Sequence, residues 1–341
     1  MGPSKALRFV FQAVMRFLLS VSILLGCACA AAGAELAPLK LVQTIPLPGV
    51  EGRFDHFATD AKGRRLFVAA LGNNTLEVID LAAGKRIRGI PGVRKPQGAL
   101  FLGELNRLGV ASGEDGAFKM FDASDFKLVK SIGSLDDADN VRYDDASKLV
   151  YVGYGDGALA IIGAEKIEKT GEIKLQGHPE SFQLEQQGSR IFVNVPDAKQ
   201  IAIVDRARRA VTTTWPMQKF QANFPMALDE ANHRLFVGCR KPPRLVVLDT
   251  ESGKPVADTL ISGDTDDLFF DAKRKRLYGI CGEGFVDVVL QVSADAYTLV
   301  EKVPTAAGTR TGFFSPELDL LFVAVPHRGN QPAEVRVFKC E

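Results

Sequence analysis

The chain has 341 residues, in which 42 Lys and Arg nearly balance 41 Asp and Glu, giving a formal net charge of +1. Non-specific binding to nucleic acid or anionic lipid needs clustered Lys and Arg, so this balance disfavours both as direct partners. Five cysteines are present and none stands in a Cys-x-x-Cys-His sequence, which excludes covalent haem attachment.

The N-terminal segment has the features of a bacterial secretory signal. Three cations precede the apolar stretch 17–25, small residues follow it, and the first acidic residue is Glu35. We therefore predict that residues 1–34 are a signal peptide and that residues 35–341 form a periplasmic or secreted protein. Removing the signal takes away three cations and no anion, so the net charge falls from +1 to −2.

A second interpretation of the same segment stays open. Leu24-Leu25-Gly26-Cys27 resembles a bacterial lipobox, in which cleavage before Cys27 is followed by attachment of lipid to that cysteine. The protein would then contact the membrane only through this anchor. A membrane-spanning helix is disfavoured, because the apolar stretch 17–32 is shorter than the ~20 residues that a bilayer needs.

A short apolar run recurs seven times after the N-terminal segment. The first copy is Arg65-Leu66-Phe67-Val68, and the later copies follow at steps of 42, 42, 41, 44, 42 and 44 residues. The anchor residues, one in each copy, are Leu66, Leu108, Val150, Ile191, Leu235, Leu277 and Leu321. A strand-like repeat of about 40–45 residues is typical of propeller blades. The sequence therefore predicts an all-β, seven-bladed β-propeller as a single domain.

Blade 1 shows how each repeat is built. Four predicted strands, separated by turn residues, cover 56–60, 65–71, 75–81 and 85–90. Four antiparallel strands joined by hairpins are the unit that a propeller repeats around its axis. The third strand ends in an aspartate, which can close the following turn, at Asp80, Asp122, Asp205 and Asp249.

The last blade lacks one strand. Residues 311–315, 320–325 and 334–339 supply three strands before the chain ends. Residues 39–48 read as a strand that has no blade of its own. We predict that this N-terminal strand completes blade 7, which would leave no open edge in the ring.

The cysteines outside the signal are predicted to be unpaired. Cys239 and Cys281 each lie four residues after an anchor, in adjacent blades. Equivalent points on neighbouring sheets are about 10 Å apart, beyond the reach of a disulfide. We expect both to be small buried hydrophobic residues, with Cys340 near the C-terminus.

Blade 1 also resembles a known repeat. Segment 60–68 (Asp-Ala-Lys-Gly-Arg-Arg-Leu-Phe-Val), segment 74–80 (Asn-Thr-Leu-Glu-Val-Ile-Asp) and Pro96-Gln97-Gly98 are similar to a YVTN-type (YncE-like) β-propeller repeat. Phe314-Ser315-Pro316-Glu317 is similar to the Ser-Pro-Asp-Gly turn of that family. The resemblance implies a propeller fold and export, and it fixes no reaction, because members of the family differ in function.

The loops that enter the innermost strands should surround one end of the axial channel. Positions 13, 11 and 10 residues before the anchors are rich in ionisable groups, above all carboxylates. The candidate ligand-binding residues there are Arg53, Asp55, His56, Asp139, Asn140, His178, Glu180, Asp266, Asp267, Arg310 and Thr311. Asp55, Asp139 and Asp266 come from well-separated blades, which makes them candidate ligands of a divalent cation. No other cofactor is indicated.

Two basic turns are predicted on the same face. Residues 240–244 (Arg-Lys-Pro-Pro-Arg) and His327-Arg328 are expected to be exposed hairpin tips, with contact to an anionic partner as the alternative.

Two functions fit these features. The favoured hypothesis is an exported scaffold that binds an unknown protein or small molecule and has no catalytic role, since neither a Gly-x-Ser-x-Gly sequence nor zinc-ligand spacing occurs. The alternative is a lactonase- or lyase-like propeller enzyme that uses the acidic mouth, a cation and His56 or His178 as base. Ordinary solvation of the channel also accounts for polar residues there.

Overall fold

A computed structural model describes residues 37–341 of the chain. The predicted signal peptide and the lipobox at Cys27 lie outside the described residues. From Pro38 onward the chain forms seven four-stranded antiparallel sheets, the predicted blades. Residues 37–341 contain no helix with the length and apolarity that crossing a bilayer requires.

The strands are short, from three to nine residues, and follow the repeat along the sequence. The chain begins with β1 (Leu39–Pro46), followed in blades 1 and 2 by β2 (Phe57–Asp60), β3 (Arg65–Ala70), β4 (Thr75–Asp80), β5 (Lys85–Ile90), β6 (Pro96–Leu102), β7 (Arg107–Ser112), β8 (Ala117–Asp122) and β9 (Leu128–Ile132). Blades 3 and 4 contain β10 (Val141–Asp144), β11 (Leu149–Tyr154), β12 (Ala158–Gly163), β13 (Glu168–Lys174), β14 (Phe182–Leu184), β15 (Arg190–Val195), β16 (Gln200–Asp205) and β17 (Ala210–Pro216). Blades 5 to 7 contain β18 (Gln221–Asp229), β19 (Arg234–Lys241), β20 (Pro243–Asp249), β21 (Pro255–Leu260), β22 (Thr265–Asp271), β23 (Arg276–Cys281), β24 (Phe285–Ser293), β25 (Ala296–Pro304), β26 (Gly312–Ser315), β27 (Leu320–Val325) and β28 (Glu334–Cys340).

The ring closes as predicted. β1 pairs antiparallel with β28, from Leu39 opposite Cys340 to Pro46 opposite Glu334, and thereby becomes the fourth strand of blade 7. In the other six blades the four strands pair in the order in which they occur in the sequence. The N-terminal strand therefore joins the two ends of the propeller.

Hydrophobic clusters fill the spaces between neighbouring blades. β3 shows why the second strand of each blade is a continuous apolar run. Leu66 and Val68 pack against blade 7, whereas Phe67 and Ala69 pack against blade 2. Because successive side chains point to opposite faces, a strand buried on both faces needs apolar residues at every position.

Two structural expectations from the sequence are confirmed. Asp80 Oδ1 accepts hydrogen bonds from the Ala82 and Ala83 N–H groups at 2.9 and 2.8 Å, and the other third-strand aspartates close their turns in the same way. Cys239, Cys281 and Cys340 are free and buried.

Candidate functional site

The first strand of each blade lines the axial channel, and the residues just before these strands surround its mouth. His56 shows how the blades are linked at this point. Its N–H donates to the Gln97 carbonyl of blade 2 at 3.0 Å, and its carbonyl accepts from Ala69 within blade 1. For this reason β2 begins at Phe57, one residue later than predicted.

Gly98 allows adjacent blades to approach each other at the mouth. A Cβ atom at this position would lie 2.2 Å from the Asp139 carbonyl oxygen and 2.7 Å from Val141 Cγ2. The first of these neighbours is backbone and cannot rotate away. The glycine is therefore a condition for bringing Asp139 and Asn140 next to the channel.

The substitution Gly98→Ala should destabilise the protein by about 3 kcal/mol or more, the upper range for overpacking, because a neighbouring strand has to move. Urea denaturation followed by tryptophan fluorescence measures this change. Gly133→Ala is the matched control, since no atom lies within 4 Å of its Cβ position. Equal stability of the two variants would contradict the close approach.

His56 is the centre of a polar layer across the channel. Its Nδ1 lies 3.1 Å from Asp267 Oδ1 of blade 6, and its Nε2 lies 3.1 Å from the Asn140 side-chain amide of blade 3. Asp55 Oδ1 and Asp139 Oδ1 are 3.6 and 4.0 Å from the same Nε2. Five predicted site residues, three of them acids, thus converge from distant parts of the sequence.

The surrounding carboxylates keep His56 protonated. Burial alone would lower its pKa, but Asp267, Asp55 and Asp139 together raise the pKa to about 10. An imidazolium has two N–H donors, so Nε2 needs an acceptor. The Asn140 side chain provides this acceptor when its amide is turned so that Oδ1 faces Nε2. That oxygen is buried and otherwise has no hydrogen-bond partner in the described residues. Asp267 is itself held by the Gly312 N–H at 2.9 Å.

Asp266 is clamped by arginines. Arg310 Nε lies 3.0 Å from Asp266 Oδ2, and Arg240 donates to the other oxygen. Arg240 also stacks on Phe224, with its guanidinium 3.8 Å from the ring centroid. Burial raises the pKa of Asp266, and the two arginines oppose that rise.

Arg240 is the mouth residue that the sequence did not predict. We expected it at an exposed tip, but its side chain is only 19% exposed and is directed to Asp266. The carboxylate and the Phe224 ring account for this position, because together they bind a guanidinium by charge and by stacking. His327 fits the expectation, since it lies at an exposed turn 2.7 Å from Glu51.

Asp139 and His178 form a second pair at the mouth. His178 Nδ1 donates to the Gly155 carbonyl at 2.7 Å, which directs Nε2 toward Asp139 Oδ2 at 3.8 Å. Burial lowers the pKa of His178, but Asp139 and the Gly155 carbonyl outweigh it and raise the pKa to about 9. His178 is therefore also cationic at neutral pH.

Glu180 differs from the other acids of the mouth. Within the part of the chain that the structure describes, its side chain makes no ion pair and no hydrogen bond. Burial, followed by repulsion from Asp139 and Asp266, raises its pKa to about 8. Asp55 has Arg53 at 3.0 Å, yet burial still raises its pKa to about 7.

The remaining predicted residue, Thr311, is 1% exposed at the start of blade 7, and its carbonyl accepts from the Ala324 N–H. It belongs to the wall of the channel and is closed to solvent.

The proposed metal ligands Asp55, Asp139 and Asp266 face the same mouth. In residues 37–341, no three His, Cys, Asp or Glu side chains are grouped in a way that would hold a metal ion. Asp266 would have to release two arginines before it could bind one. A divalent cation at this set remains a prediction.

Comparison with known proteins shows the fold. No family model and no curated protein matches the sequence. Among solved structures, the chain is similar to Kuenenia stuttgartiensis hydrazine synthase, at 16% identity and a TM-score of 0.72 over 85% of this chain and 98% of that chain. It is also similar to a chain of a mitotic checkpoint complex, at 11% identity and a TM-score of 0.75 over 92% of this chain and 95% of that one. Likeness at these identities concerns the fold alone, and the chain is a seven-bladed β-propeller with four-stranded antiparallel blades.

Proposed function

We propose that the chain is an exported bacterial propeller of YVTN (YncE-like) type, which binds a ligand or partner at the channel mouth and has no catalytic role. The signal-like residues 1–34 support export. The convergence of charged side chains from all parts of the sequence onto one mouth supports binding there.

The observation that carries this proposal is the isolated carboxyl group of Glu180. Asp55, Asp139 and Asp266 each have a cationic side chain within 4.0 Å. Within residues 37–341 Glu180 has none at that distance, and its burial, together with repulsion from Asp139 and Asp266, holds it in its protonated form at neutral pH. A cation that approaches Glu180 would replace this missing counter-charge and would lower the pKa of the carboxyl group.

The bound group is therefore an organic cation, either an amine or a guanidinium. Both form charge-assisted hydrogen bonds with carboxylates, and a guanidinium can engage two oxygens at once. A free small molecule and the basic side chain of a partner protein present the same chemistry to the mouth.

Binding without catalysis fits the state of the histidines. A general base must be unprotonated, whereas the pKa of His56 is raised to about 10 and that of His178 to about 9. Both nitrogens of His56 are also occupied, by Asp267 and Asn140.

Thermal melting with agmatine, which carries an amine and a guanidinium, tests the proposal. Agmatine should stabilise the protein by about 2.7 kcal/mol at about a hundred times its Kd, because it binds the folded state alone. The effect should be lost in Glu180→Gln and kept in Glu165→Gln, which changes a carboxylate in an exposed turn.

The same assay distinguishes the enzyme hypothesis. Stabilisation by Ca²⁺, Mg²⁺ or Mn²⁺ that EDTA reverses, and that Asp139→Ala or Asp266→Ala abolishes, would favour a metal-dependent mouth. An agmatine effect of equal size in Glu180→Gln would contradict the role given to Glu180.

A further inference from the structure

A cavity of about 350 Å³ lies in the channel one layer deeper than the mouth, beneath His56 and Asp267. Its lining includes residues that follow the polar layer by two positions along each inner strand. Among them are Leu100, Phe269 and Phe313. Its volume is at the lower end of the range for small-molecule sites, which are mostly apolar with a few placed polar groups. Phe269 and Phe313 contact each other edge to face, with 6.1 Å between ring centroids.

Arg142 is the cation of this cavity. Its Nη1 donates to the Val141 carbonyl at 2.8 Å and its Nη2 to Ser181 Oγ at 3.3 Å. A guanidinium has five N–H groups, so most of them remain available to a ligand. Within the described residues Arg142 has no carboxylate at salt-bridge distance. Burial lowers its pKa, which reflects how poorly the charge is solvated.

The residues that line the cavity carry an excess of one positive charge, from His56, Arg142 and Asp267. Asp267 is the acid on its lining, and it is already neutralised by His56 at 3.1 Å and by the Gly312 N–H at 2.9 Å. Arg142 then has no ion-pair partner of its own among the described residues, and Asp267 and Asp139 act on its charge only from a longer distance. The other walls of the cavity are largely aromatic and aliphatic, so an anion bound in the cavity would stabilise this charge.

We propose that this cavity is a binding site for a small organic monocarboxylate with an aromatic or aliphatic body. The carboxylate accepts hydrogen bonds from Arg142, and the body packs against Leu100, Phe269 and Phe313. Gln183, on the same lining, donates one amide N–H to the Met226 carbonyl at 2.9 Å, which leaves its second N–H for the other oxygen of the carboxylate. The site lies one layer deeper than the mouth and shares His56 and Asp267 with it, but it presents the positive charge of Arg142 to a ligand, whereas the mouth presents the carboxyl group of Glu180.

Isothermal titration calorimetry with 3-phenylpropionate and with hexanoate tests this site. At least one of them should bind the unmodified protein saturably. The same phenylpropyl body as an alcohol should bind about tenfold or more weakly, because it lacks the anion that Arg142 pairs with. Absence of binding by both acids, or equal binding of acid and alcohol, would overturn the proposal.

Variants of Arg142 test whether the carboxylate binds in this cavity. Arg142→Met should lose about ten- to hundredfold in affinity, and Arg142→Lys should keep part of it. Arg142 lies over the Phe182 ring at 5.5 Å. Arg88→Met is the matched control, since Arg88 lies over the Phe126 ring at 5.6 Å but on the exposed outer strand. Unchanged affinity in a folded Arg142→Met variant overturns the site. Should that variant not fold, the comparison of acid and alcohol on the unmodified protein decides.

Competition with inorganic phosphate distinguishes a general anion site from the proposed site for an organic carboxylate. Phosphate should fail to compete with the bound carboxylate, because it gains nothing from the apolar walls. Full displacement of the organic acid by phosphate at equal concentration would overturn the requirement for an apolar body.

Discussion

Deletion of residues 35–48 is expected to abolish the cooperative folding of the propeller. β1 supplies the outer strand of blade 7, and Leu39, Ile45 and Leu47 are 4%, 0% and 1% exposed. Burial of each such side chain contributes about 1.5–3 kcal/mol, and the total is comparable with the about 5–15 kcal/mol by which a domain is stable. Without β1, blade 7 would also present an unpaired edge in β28.

Circular dichroism and thermal melting measure this loss. Ile45→Ala is the milder variant and should destabilise the protein by about 2–5 kcal/mol, as for other buried aliphatic truncations. Val42→Ala is its control on the same strand, since Val42 is 49% exposed and its change should stay within about 0.5 kcal/mol. A deletion variant with an unchanged melting transition would show that closure does not hold the ring together.

The second large effect is a loss of stability as the pH rises from about 5 to about 10. Glu180 has a folded pKa of about 8 against an ordinary value of 4.5, so between these values the folded state keeps a proton that the unfolded chain has released. Unfolding then releases a proton, and stability falls with rising pH. Asp55 acts in the same direction between 3.8 and about 7.

The histidines add to this trend. The pKa of His56 rises from 6.5 to about 10 and that of His178 to about 9, so the stabilisation from their charges is complete below 6.5 and is lost as the pH passes those raised values. One pKa unit corresponds to about 1.36 kcal/mol, so the combined loss should reach several kcal/mol.

Urea denaturation at a series of pH values between about 5 and about 10 checks the sign. The free energy of unfolding should decline across this range, and Glu180→Gln should flatten the part of the curve between 4.5 and about 8. Glu165→Gln, in an exposed turn, should leave the curve unchanged. A stability that rises from neutral to alkaline pH would contradict the charge states given to the mouth.

Much of the fold was predictable from residue pattern. The apolar run at Leu66 and its six later copies follow from strands buried on both faces, and the missing strand of blade 7 identified β1 as its partner. Strand ends were predictable only to within a residue or two. His56, for example, bonds to Gln97 of the next blade, and nothing in the local sequence of residues 56–60 reports that contact.

The site was predictable in part. Repeat alignment placed His56 and the three acids Asp55, Asp139 and Asp267 on one rim. In the structure the three acids surround the His56 imidazole. The alignment could not show which carboxylate would lack a cationic partner, because Arg240 reaches Asp266 from the second turn of a different blade. Arg142 was missed, although alternation along a strand puts the position two residues after Asn140 on the same face.

The most direct test of the mouth is proton release on agmatine binding. Calorimetric titration near pH 7 in two buffers of different ionisation enthalpy gives the number of protons exchanged. Because Glu180 is mostly protonated there, with its pKa raised to about 8, binding of the cation should release protons to the buffer, and Glu180→Gln should show neither this release nor the affinity. Agmatine binding without proton release, or with the same affinity in Glu180→Gln, would contradict a cation site built on this carboxyl group.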